Sequence, residues 1–394
     1  MTNPSFQQQK IIRNISNCKT AALGGVRVTC TACGHESYHY HSCGDRHCPM
    51  CQHIKKQLWI DKMAVVLFPL KHFHVIFTIP HQLNELLFYN QKILYNAFFQ
   101  SVNSTIQKVC ARQIGGKPGL VCTLHTWGSN LSFHPHVHCI VSGGAYSPSV
   151  GWQYSAKPNF FVDAAALAIT FKNIFIGHII RLWEDETLYL QKLTNSISEA
   201  AQFKTFYRQL MQTKWVVRIE TPILGNQQII EYLARYVHRV AITNSRIVAT
   251  NESSITLEYN NYLLQKKGMP APKATMVLKP LVFIQRFLQH VLPTGFQRIR
   301  YYGLYAFGSR MTYLSACQAL DQQPRQHKKR AAIDIIKDSF QINPDLCNNC
   351  GFYNCFHVEQ LPAQTNLQFN YPRPPPIKHP VHFETLQSVP FATW

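Results

Sequence analysis

A chain of 394 residues is long enough for two or three domains with cores of their own, and 39 Lys and Arg against 19 Asp and Glu leave a formal charge of +20. A surplus that large favours a polyanionic partner, because each neutralised phosphate releases condensed counterions, and it argues against a zinc hydrolase of small molecules, which needs no such field. No apolar run in the sequence approaches the ~18 residues that span a bilayer, and the opening MTNPSFQQQK lacks a signal-peptide core, so the expectation is a cytosolic, nucleoid-associated protein with no membrane partner.

Residues 1–57 read as a first unit, ahead of a second at 58–310 and a third at 311–394. Six of the 13 cysteines lie between Cys18 and Cys51 and three between Cys347 and Cys355. In a reducing compartment such clusters mean metal before disulfides. Cys30-x2-Cys33 and Cys48-x2-Cys51, separated by 14 residues, have nearly the spacing by which two knuckles set four thiolates round one structural Zn2+. Cys18, His35, Cys43 and His47 interleave with them and are the right types for a second zinc, with His39, His41 and His53 also near. In small domains of this kind zinc supplies ~10–16 kcal/mol, so binding is part of folding.

Residues 71–80 read as a buried strand carrying His72-Phe73-His74, a His-apolar-His pattern without a partner histidine at suitable spacing. Residues 82–113 read as one helix. Gly115-Gly116-Lys117-Pro118-Gly119 is a turn and not a phosphate loop, since Pro follows the Lys and the P-loop spacing is missing. With no nucleotide loop there is no helicase module, and unwinding falls to the host or to supercoiling. The next strand, 120–127, offers His125. In the following stretch, FHPHVHCIVS from Phe133 to Ser142, His136 and His138 share a face because strand side chains alternate, with His134 two residues further back. Together with His125, in the spacing His-x10-His-x-His, they make a three-imidazole metal site with positions left for substrate.

The interval 146–213 reads as a mainly helical insertion, with helices over 163–183 and 184–211, before a strand at 214–219. A turn at Gly225-Asn226 then caps a helix over 227–240, QQIIEYLARYVHRV, in which Tyr232 and Tyr236 sit four apart and so share a face, flanked by Arg235 and Arg239. Short strands at 246–259 and 274–278 and a helix at 281–291 follow. Across 296–305, Arg298, Arg300, Tyr301, Tyr302 and Tyr305 alternate basic and aromatic residues, a pattern able to track a single strand with cations on phosphates and rings under bases. His327, Lys328, Lys329 and Arg330 mark a solvated helix or linker. Cys347-x2-Cys350-x4-Cys355-x-His357 is a candidate C-terminal zinc site, and the chain ends in a Pro-rich tail. Strands ahead of a helix, histidines ahead of tyrosines, suit an α+β fold: an antiparallel sheet flanked by helices.

A metal that polarises a phosphate, beside a phenol that can attack it, would make a DNA strand-transfer site. The segments HTWGSNLSFHPHVHCIVSGG (125–144), EYLARYVHRVAITNSRI (231–247) and FLQHVLPTGFQRIRYYGLYA (287–306) resemble the rolling-circle transposases of the insertion sequence 91 family, members of the HUH class of nucleases, over roughly residues 10–310. The resemblance implies an HUH core behind an N-terminal zinc-binding domain that helps recognise the transposon end. It implies Mg2+ or Mn2+ at the histidines, although imidazole by itself suits zinc or manganese better than magnesium. One of Tyr232 and Tyr236 would form a 5'-phosphotyrosine and the other would accept the second strand. Partners would be single-stranded transposon ends, target DNA and host helicase or replication proteins. A rolling-circle replication initiator or relaxase would share this chemistry but not the N-terminal cysteine cluster; a non-catalytic zinc-dependent DNA-binding protein would leave the histidines and tyrosines idle.

Overall fold

The computed structural model describes residues 4–364, apart from 157–158, 160, 224–227, 230–235, 238, 267–268 and 327–329. The chain divides into two compact units, neither contiguous: 59–241 with 285–328, and 1–58 with 242–284 and the described part of 329–394. Three successive blocks are what the sequence suggests. The difference arises because strand pairing joins the two ends of the chain, which no local pattern reveals.

The larger unit is built on a five-stranded antiparallel sheet in the order Ile299–Gly303, Gly119–Trp127, Phe133–Ser142, His72–Thr78, Val216–Ile219. Alternation sorts its two faces. Phe73, Val75, Phe77, Leu120, Cys122, Leu124, Val137, Cys139 and Val141 point into one large core shared with the helices Gln91–Gln113 and Ala164–Glu184. The opposite face carries Val121 and Ile140, which belong to a second core with Met63, Phe68, Ile229, Val237 and Tyr305. That face is covered by Trp59 and Met63 of helix His53–Val66, by Ala316 and Cys317 of helix Arg310–Ala319, and by the segment around Val237.

Residues 82–113 do not form one helix. A 3-10 turn, His81–Leu83, leads into Asn84–Tyr89, and the chain breaks at Asn90 (φ −122°, ψ 35°) before Gln91–Gln113. Asn90 is buried, and its amide donates to the carbonyls of Leu86 and Tyr189 while accepting from the Tyr189 N–H. The break therefore serves a tertiary anchor. The insertion is likewise less helical than its composition suggests. It holds a hairpin, Gly144–Ser147 with Gly151–Tyr154, and the helices Ala164–Glu184 and Ala200–Gln212, with no helix over 185–199, where Glu186 adopts a left-handed φ of 54°. Helix Ala164–Glu184 has the length and apolarity to cross a bilayer, contrary to the expectation from runs alone, but its Leu167, Phe171, Phe175, Ile176 and Ile179 are buried in the sheet core.

In the smaller unit a helix, Phe6–Asn17, starts at a capping box between Ser5 and Gln8. Strand Gly25–Cys30 lies between Glu36–Tyr40 and Phe356–Leu361, both antiparallel, with Gly25 opposite Leu361 and Cys30 opposite Phe356. Arg27 reinforces the pairing through Glu359 and Glu36 on the flanking strands. A second sheet of Ile247–Thr250, Ile255–Asn260 and Lys273–Leu278 and a helix Ala332–Phe340 complete it.

Candidate active site and thiolate clusters

Sheet register brings the histidines together. His125 stands directly opposite His136, and Thr123 opposite His138, so His125, His136 and His138 rise from one face of two adjacent strands. One ring nitrogen from each lies within 4.8 Å of the others. The pairing register shifts between His125 and Trp127, and the Trp127 ring stacks on His125 at 4.6 Å, closing that flank.

Each imidazole has its second nitrogen engaged, which fixes the one turned inward. His125 Nε2–H donates to the Tyr236 carbonyl at 2.7 Å, which leaves Nδ1 as a lone-pair donor. His136 Nδ1–H donates to the His134 carbonyl at 2.7 Å, which leaves Nε2. His138 shares a hydrogen bond between its Nδ1 and His74 Nε2. Burial, reinforced by the neighbouring imidazoles and by Arg239, holds His125 and His138 well below the ordinary imidazole value. Burial takes His136 down to about 4. Neutral imidazole is the ligating form, so the three residues fit a divalent cation in donor type, protonation and spacing.

The tyrosine segment lies on this same face. The Tyr236 ring is 4.8 Å from the ring of His138 and 4.9 Å from that of His74. Its placement follows from backbone carbonyls of this segment that accept side-chain donors from the sheet. The Tyr236 carbonyl takes the His125 bond, and Arg298 donates to the carbonyls of Val237 and Arg239 at 2.9 and 3.0 Å. Tyr232 and Arg235 lie outside the described residues.

His74 is the residue that sequence pattern discounts. It is buried, two residues along the strand from Ile76, which faces His138, and register alone brings it to the cluster. Beside His134 a cleft of about 650 Å³ opens, lined by His81, Phe88, Tyr89, Phe133 and Gln289.

The basic and aromatic residues of 296–305 sit differently from a strand-tracking ladder. Arg298 is buried on the carbonyls just named. The Arg300 guanidinium lies over the rings of Phe99 and Phe296, and Tyr301 accepts a hydrogen bond from Trp59 Nε1. Tyr305 is buried against His72. These groups hold the fold, whereas Arg239 is exposed at the site.

The cysteines regroup. Cys30, Cys33, Cys48 and Cys51 do not converge. One set is Cys18, Cys43, Cys48 and Cys51; the other is Cys30, Cys33, Cys347 and Cys350. His35, His47 and His357 belong to neither set: His47 Nδ1 bonds Asp45. Cys355 Sγ lies 3.2 Å from Cys30 Sγ but outside the four-sulfur set. Spacing within the first 51 residues points elsewhere because the first knuckle, Cys30-x2-Cys33, meets Cys347 and Cys350, more than 300 residues further along the chain, while Cys48-x2-Cys51 groups with Cys18 and Cys43.

Three imidazoles stand beside a tyrosine on one sheet face in a chain with two cysteine clusters, and comparison with known proteins gives the class: a transposase. Residues 119–312 match the family described as "Putative transposase" and residues 2–79 the one described as "Transposase zinc-binding domain". A protein of Sinorhizobium fredii named "Putative transposase y4qJ" is 33% identical over 341 residues, 84% of each chain. The "Transposase for insertion sequence element IS801" of Pseudomonas savastanoi pv. phaseolicola is 25% identical over 339 residues, 85% of this chain and 79% of that one. No solved structure matches. The chain belongs to the insertion sequence 91 family of transposases.

Proposed function

We propose that this transposase cuts and rejoins single-stranded DNA through a phosphotyrosine, with His125, His136 and His138 holding a divalent cation and Tyr236 or Tyr232 as the nucleophile. The observation that carries the reading is the convergence of three neutral imidazoles with the Tyr236 ring on one face of the sheet. A bound Mg2+ or Mn2+ would supply Lewis-acid polarisation of the scissile phosphate.

The chain's own residues do the rest. The phenol gives its proton to water as it attacks, and the Arg239 guanidinium beside the histidines favours the negative charge that develops on the scissile phosphate. The phenolate oxygen forms a bond to phosphorus as the bond to the 3'-oxygen breaks, and that oxygen takes up a proton. The products are a 5'-phosphotyrosine and a free 3'-hydroxyl. A second tyrosine accepts the second strand in the same way, giving rolling-circle transposition. The cleft beside His134 offers room for a nucleotide adjoining the cut.

The test incubates the full chain with a labelled single-stranded transposon end and Mn2+ and seeks a covalent adduct on a denaturing gel. Adduct is expected from wild type and lost in His136→Ala and in Tyr232→Phe/Tyr236→Phe. Undiminished adduct in the double tyrosine variant overturns the nucleophile assignment.

A further inference from the structure

We infer that the chain binds a structural zinc ion through Cys30, Cys33, Cys347 and Cys350, a site assembled from its two ends, beside a separate zinc at Cys18, Cys43, Cys48 and Cys51. Neither family match reaches Cys347 or Cys350.

Geometry carries the inference. Four thiolates at about 2.3 Å from a tetrahedral zinc stand ~3.8 Å apart along each edge. Cys30 and Cys350 are separated by 3.7 Å between sulfurs, Cys33 and Cys347 by 3.8 Å. Packed thiols need no such common spacing on two crossing pairs. In the other set Cys43 and Cys51 are likewise 3.7 Å apart, and backbone N–H groups of Cys43 and Met50 point at the sulfurs of Cys18 and Cys48, as they do where sulfur carries negative charge.

The two halves of the end-joining site are copies of one local device. Cys30-x2-Cys33-Gly34 and Cys347-x2-Cys350-Gly351 each turn back so that the glycine N–H bonds the first cysteine's carbonyl, at 2.8 Å in both. Gly34 and Gly351 have φ of 69° and 73°, a left-handed conformation that glycine adopts without strain. Two knuckles brought face to face by the pairing of Gly25–Cys30 with Phe356–Leu361 form the ribbon by which four thiolates enclose one zinc. Cys355 is the remaining thiol near Cys30, and its backbone carbonyl accepts from Thr31, so it belongs to the strand junction and not to the tetrad.

The consequence is a zinc module that closes only after residues through Cys350 have been made. Metal at this site would lock the segment 347–361 onto the first strand, so removing either half should free both.

The experiment reads metal and not DNA cleavage, so it stands or falls apart from the proposed function. Zinc content is measured on the full chain, and cysteines protected from alkylation are mapped by mass before and after chelation. Cys347→Ser/Cys350→Ser should lose one zinc equivalent and become susceptible to protease near 340–361, with Cys18 and Cys43 still protected. Cys355→Ser should keep the wild-type zinc count. In wild type, chelator should expose Cys30, Cys33, Cys347 and Cys350 together, a readout that needs no variant to fold. An unchanged zinc content in Cys347→Ser/Cys350→Ser, a zinc lost in Cys355→Ser, or a Cys30–Cys355 disulfide in the purified chain would each overturn the assignment.

Discussion

His74 Nε2 lies 2.8 Å from His138 Nδ1, so a histidine outside the proposed metal-binding triad orients one within it. If His138 ligates through Nε2, its Nδ1 must carry the proton and His74 must accept it. Partners of this kind typically account for 10–100-fold in metal affinity. His74→Ala should therefore weaken Mn2+ binding by about that factor in a calorimetric titration, and His74→Gln, which keeps an acceptor, should recover part of it. Equal affinity in wild type and His74→Ala would remove the positioning role.

Arg298 and Arg239 should separate cleanly. Arg298 is buried and bonded to two carbonyls, so Arg298→Met would leave both unsatisfied at a cost of about 3 kcal/mol in stability. Because it holds the Tyr236 segment in place, the yield of covalent adduct should fall with it. Arg239 is exposed, and Arg239→Ala should reduce the salt dependence of DNA binding by about one unit of log–log slope. A matching drop in slope for Arg298→Met would show that its guanidinium reaches phosphate instead.

These two residues also mark where sequence reading ends. The sheet face bearing His125, His136 and His138 was legible, because strand alternation is local and a ten-residue interval is short. Burial of Arg298 was not, since an Arg-x-Arg-Tyr run looks the same whether its guanidinium meets phosphate or a carbonyl. His74 was passed over because its partner is reached only through the register of strands 60 and more residues apart. The glycine after the second cysteine in both Cys30-x2-Cys33-Gly34 and Cys347-x2-Cys350-Gly351 is the local sign that relates these two knuckles, and the nearer spacing of Cys48-x2-Cys51 masks it.

Acid should loosen the larger unit through His72. It is fully buried, donates from Nδ1 to the Leu70 carbonyl and accepts at Nε2 from the Tyr305 hydroxyl, an arrangement only the neutral ring can make. Burial takes it from the ordinary 6.5 down to about 4. The unfolded chain thus binds the proton first, and the His72 contribution is whole above pH 6.5 and lost as pH falls toward 4. That window corresponds to about 3 kcal/mol. Denaturant midpoints measured across it should decline in wild type and decline less in His72→Gln; parallel curves would show that His72 stays neutral without cost.

Gly303 tests whether the sheet edge sets the site. It ends strand Ile299–Gly303 with φ of +61°, and a Cβ there would meet the Pro118 carbonyl oxygen at 1.8 Å, backbone against backbone. Neither partner can yield, because Leu304 N–H bonds that same carbonyl and Gly303 pairs with Gly119. Gly303→Ala must therefore separate the edge strand from Gly119–Trp127, and with it the Arg298 bonds that seat the Tyr236 segment. Gly308→Ala, which meets nothing within 4 Å, is the control. The expected result is a melting temperature several degrees lower for Gly303→Ala, in keeping with a strained left-handed residue costing ~1–3 kcal/mol before any clash, together with reduced adduct. If both alanine variants melt alike, the edge strand yields more readily than its contacts imply and the route from Gly303 to Tyr236 is broken.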